Sequence, residues 1–146
     1  MLFYDLLLLA HVLSVTLWVG GMAFAHFFLR PAAQALEPPQ RLPLLQGVLQ
    51  RFLNSAGIAV LVVLASGGTL MALGATGRSI HAMAAGGVVM AAIYGHVRFA
   101  LYPRLVRAVA AKDWPAGGAA MQSVRRWVAG NLALGVAVIA LAVIRF

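Results

Sequence analysis

The sequence predicts an all-α, transmembrane four-helix bundle with both termini on the periplasmic side, and three observations predict it. Of 146 residues, 63% are hydrophobic and 10% charged, where soluble domains carry about a quarter charged residues. The mean hydropathy is +0.94. The apolar residues fall into four runs, each near the roughly 20 residues that cross a hydrocarbon core of about 30 Å. The basic residues gather at alternate ends of those runs.

Span one covers about 2–29 and stops at Arg30-Pro31. Asp5 precedes its apolar stretch and Arg30 follows it, the reverse of a secretory signal, so Ala23-Phe24-Ala25 reads as part of a span and not as a cleavage site. Glu37-Pro38-Pro39 breaks the chain, and Arg41 to Asn54 continues as a helix that leads into span two, about 53–73. The Gly74-Ala75-Thr76-Gly77 turn ends it. Span three covers about 80–102 and stops before Pro103-Arg104; span four covers about 127–144, after the polar stretch Arg107 to Arg126. The whole of 1–146 is one membrane domain with no internal repeat apparent in the sequence.

Loops one and three with their flanks carry Arg30, Arg41, Arg51, Arg98, Arg104, Arg107, Lys112, Arg125 and Arg126; the opposite side carries Arg78 and Arg145. The positive-inside rule then puts loops one and three in the cytoplasm of a bacterial inner membrane. The net charge of +8 is thus a topological signal. It lacks the aromatic interleaving of a nucleic-acid patch, and the partner it implies is the lipid bilayer, not nucleic acid. With no cysteine, thiolate metal sites, c-type haem attachment and Cys-ligated clusters are excluded. Ligands must come from His, Met or carboxylate, and no carboxylate lies deep in a span.

All four histidines lie in or at the ends of spans one and three. Ionisable groups inside a membrane are costly and mark function, and neutral imidazole suits metal or haem iron. His11 and His26 are 15 residues apart, as are His81 and His96. At 1.5 Å and 100° per residue each pair spans roughly 22 Å with about 60° of rotation. Spans one and three run in the same direction, so His11 comes level with His81 and His26 with His96. Two facing imidazoles are the axial ligation of a b-type haem. The expectation is therefore two haems, or one if a pair lies at the interface, with Trp18 packed on a macrocycle and Arg98 pairing with propionates. Gly20, Gly21, Ala85, Ala92 and Gly95 would make room. Electrons would pass across the membrane between a carrier such as quinone or a small redox protein and an acceptor such as oxygen or superoxide. Small-residue faces at Gly67-Gly68, Gly130 and Gly135 offer packing within the bundle or against a second copy.

This arrangement resembles the cytochrome b subunit of quinol-oxidising complexes and the smaller four-helix b-type cytochromes. The resemblance implies that His11 and His81 hold an outer haem and His26 and His96 an inner one. A second resemblance rests on the stretches His11-Val-Leu-Ser-Val-Thr-Leu-Trp18-Val-Gly20-Gly21, Arg51-Phe52 and Tyr94-Gly-His96-Val-Arg98-Phe-Ala-Leu-Tyr102-Pro103-Arg104-Leu105. These are similar to the membrane domain of the copper resistance protein D family, and through it to the HemJ-type protoporphyrinogen oxidases. The HemJ pattern implies a Lys in span three; the only Lys is Lys112, in loop three. The copper resemblance implies transport or tolerance, with Met22 beside His26 and Met83 beside His81 as material for soft Cu(I) sites.

Overall fold

The computed structural model describes residues 1–144 and consists of four long helices. They are α1 (Leu2–Ala33), α2 (Pro38–Ala72), α3 (Arg78–Ala110) and α4 (Trp114–Val143), and each contains a window apolar enough to cross a membrane. At 30 to 35 residues they are roughly 45–53 Å long at 1.5 Å per residue, well beyond the hydrocarbon thickness. The excess projects where loops one and three lie, here called the loop end. The start of α1, the end of α4 and the α2–α3 turn mark the terminal end. Arg145, counted above on the terminal side, lies outside the described residues.

Two boundaries differ from expectation. Neither Arg30-Pro31 nor Tyr102-Pro103 stops its helix: α1 runs on to Ala33 and α3 to Ala110. In both, the backbone widens into a π-helical turn just before the proline, at Ala25–Leu29 and at Val97–Leu101. The Arg30 N–H bonds to the Ala25 carbonyl and the Tyr102 N–H to the Val97 carbonyl, five residues back. A proline inside an α-helix removes one N–H and crowds the carbonyl four residues earlier; the wide turn absorbs both effects. The polar stretch Arg107 to Arg126 is accordingly mostly helix. Only a tight turn around Lys112 and Asp113 interrupts it, and the Asp113 carboxylate accepts the Ala116 N–H at 3.1 Å, a capping interaction that starts α4.

Helix α1 packs chiefly along α2, and α3 along α4. The chain therefore forms two antiparallel hairpins. Lipid offers apolar surface as good as a core, so close fit and buried polar contacts must hold them together. The middle of the bundle is filled by Trp18, Met22, Ala56, Val60, Met90 and Leu132, and the loop end by Leu42, Leu53, Leu101, Leu105 and Val124. Tyr94 joins the hairpins by donating its hydroxyl to the Leu53 carbonyl at 2.8 Å. Gly57 permits this approach, since a Cβ there would stand 2.5 Å from the Tyr94 oxygen. Asn131, 3% exposed, donates to the Met90 carbonyl at 3.4 Å. Outward-facing Leu13, Leu17, Ile58, Leu61, Val88 and Val136 are exposed, as suits a lipid-facing surface.

The two hairpins also share a pattern in their first helices. Each first helix carries two histidines 15 residues apart, then a proline, with a π-helical turn just before the proline.

Candidate functional site

A cavity of about 360 Å³ opens at the terminal end among all four helices, and His11, Trp18, Met71, Met83 and Met90 are among its lining residues. His11 is the histidine it contains. Its Nδ1 lies 2.9 Å from the Ser66 Oγ, and Ser66 is itself buried. The Ser66 hydroxyl proton is committed to the Val62 carbonyl one turn back, at 2.5 Å, so its oxygen accepts the Nδ1–H of His11. The Val63 carbonyl adjoins the same ring. These partners favour the tautomer with the proton on Nδ1 and the lone pair on Nε2, the arrangement that a ligating histidine needs. Gly67 lets the ring sit flat on α2, because a Cβ there would meet its Cε1 at 3.1 Å.

The remaining histidines are not among the lining residues of this cavity. His81 is exposed, although its neighbours Ile80 and Met83 line the cavity. His26 lines a smaller groove at the loop end with Arg30, Phe52 and Arg125. His96 is exposed and packs on Trp127, ring centroids 4.6 Å apart. Neither expected cross-helix pair, His11 with His81 or His26 with His96, lines this cavity or the loop-end groove together. Among the described residues no group of three or more His or carboxylate side chains could hold a metal ion. The other soft donors lining the His11 cavity are the thioethers of Met71, Met83 and Met90.

Other expected residues fall similarly into two sets. Trp18, 3% exposed, does line the cavity beside His11. Arg98 places its guanidinium carbon 5.8 Å from the Tyr102 ring centroid in the second π-helical turn. Met22, 1% exposed, is core, whereas Met83 lines the cavity. Gly20, Ala85 and Ala92 are exposed, while Gly67, Gly68, Ala84 and Gly87 provide the small side of the cavity. Sequence reasoning missed Ser66, Met71 and Met90. Ser66 had a signal: it is a hydroxyl in the middle of an apolar run, followed directly by Gly67-Gly68.

Comparison with known proteins supplies the family. The copper resistance protein D family matches residues 46–145, about two thirds of the chain. The chain belongs to the copper resistance protein D family. The match takes in most of α2 and all of α3 and α4, and thus Ser66, Met71, Met83 and Met90; His11 and Trp18 on α1 lie before it. No curated protein and no solved structure matches the chain.

Proposed function

We propose that this family member is a membrane protein that takes up a copper ion, as Cu(I), in the terminal-end cavity. The observation that carries the reading is the His11 ring, held by Ser66 with Nε2 left as a donor, in a cavity that also contains Met71, Met83 and Met90. Imidazole and thioether are the soft donor set that favours Cu(I). The apolar lining of the cavity adds to that preference by lowering the local dielectric around the donors. Membership of a family described by copper resistance supports the same reading. Copper here is cargo. The arginine asymmetry supports a cytoplasmic loop end in a bacterial inner membrane, which would open the cavity toward the periplasm.

The cavity's size favours a second reading. About 360 Å³ is far more than an ion fills and lies within the range of small-molecule and cofactor pockets. One b-type haem ligated by His11 and packed against Trp18 would use that space. Such a haem would supply one-electron chemistry, with quinone or a small redox protein as its exchange partner. The chain's own part would be ligation, a fixed imidazole tautomer and exclusion of water.

Purification in mild detergent from copper-supplemented, haem-replete cells separates the readings. Copper retained near one per chain under reducing conditions against a Cu(I) chelator, and lost in His11→Ala, is the expected result. A Soret band lost in His11→Ala would give the site to haem. Protein with neither ligand would overturn both.

A further inference from the structure

The loop-end groove combines an apolar bed with a cationic rim. On α2 its floor is Leu45, Val48, Leu49 and Phe52, and on α4 it is Met121, Val124 and Val128. The α2 set follows the i, i+3, i+4, i+7 pattern of one helix face, and the α4 set i, i+3, i+7 with Arg125 at i+4. Arg30 and Arg125 stand at its edge, both half-buried, and Arg125 feels the charges of Arg30 and Arg41. Arg41 is anchored from the side, donating to the Leu36 carbonyl at 3.2 Å. Of the chain's three carboxylates, Asp5 lies in the first turn of α1 at the other end and Asp113 caps α4. The cluster therefore keeps a net positive charge of at least two beside an apolar slot. Two arginines at the rim of one groove call for an anion, and the apolar slot beneath calls for an attached hydrocarbon.

We propose that this groove binds one anionic phospholipid, its phosphate between Arg30 and Arg125 and an acyl chain along Val48, Phe52 and Val128. Basic pockets between membrane helices take up such head groups, and each Arg near the surface contributes about 1 kcal/mol, or about fivefold in affinity. The site is separate from the His11 cavity and stands whether or not copper or haem binds there.

The test is native mass spectrometry of the full chain released from mild detergent, titrated with dioleoyl phosphatidylglycerol or with the matching phosphatidylcholine. One phosphatidylglycerol should be retained in preference to phosphatidylcholine. Arg30→Gln with Arg125→Gln should weaken it about 25-fold. Arg104→Gln with Arg107→Gln removes the same formal charge from exposed positions and should change it less than about twofold. Val48→Trp fills the slot with charge unchanged and should weaken it at least about tenfold. If the double variant is not recovered monodisperse, Arg125→Gln alone carries the test, with about fivefold weakening expected. Equal losses from the two arginine pairs, no preference over phosphatidylcholine, or full binding in Val48→Trp would each overturn the proposal.

Discussion

In the α1–α2 hairpin, His11 is half-buried and held by Ser66 from its own partner helix. The matching position in the α3–α4 hairpin is His81, exposed and outside the cavity. At the other end His26 faces a groove with two arginines, while His96 lies on the exterior against Trp127. The same spacing therefore serves two settings. What differs is the neighbouring helix: α2 offers a buried hydroxyl with its proton already donated, beside a glycine that lets the ring approach. A histidine becomes a ligand candidate through the groups that orient it more than through its spacing.

Substitutions can break or sharpen this contrast. The largest effect is expected for His11→Ala, which should weaken Cu(I) binding in a chelator competition by more than about a hundredfold, beyond the cost of losing an outer-shell partner. His81→Ala in the same assay should stay within about twofold of the parent; an equal loss would instead support the cross-helix pair of His11 with His81. Next comes Ser66→Ala. It leaves the imidazole in place but frees its tautomer, and about 10- to 100-fold weaker binding is expected. Met83→Leu should cost less than His11→Ala yet be measurable in the same competition, whereas Met22→Leu, a near volume-conserving change in the core, should leave binding unchanged and cost under about 1.5 kcal/mol of stability. The smallest effect is expected for Tyr94→Phe. Losing one interhelical hydrogen bond in a membrane costs about 0.6 kcal/mol, readable as a small shift in denaturation by SDS with no change in copper binding.

The four spans were legible because lipid imposes a length and a composition that few other environments require. Helix ends were less so. Prolines 31 and 103 carry the ordinary signal for a stop, and nothing in the residues around them shows that the backbone will widen into a π-helical turn and continue. His11 and Trp18 could be picked out as polar and aromatic groups inside a span, and they share a cavity. Ser66, Met71 and Met90 were not singled out, since a helix's rotation about its own axis is set by tertiary packing, and that rotation decides which of its residues face the cavity. The same limit explains Met22: four residues from His26 on one helix, it is nonetheless buried in the core while His26 faces a groove. Equal spacing in α1 and α3 reported a repeated hairpin plan, and a repeated plan leaves each copy free to bury different residues.

The two π-helical turns bear on how the ends of this bundle can vary. A wide turn is one residue more than an α-helix needs, so it offsets the rotational phase of everything beyond it by about 100°. Each of α1 and α3 thus has one phase toward the terminal end and another toward the loop end. Residues past the turn, Arg30 among them, can be re-aimed by gaining or losing a single residue there while His11 keeps its seat against Ser66. The cavity and the arginine-rimmed groove share a helix, yet each can be remodelled without disturbing the other.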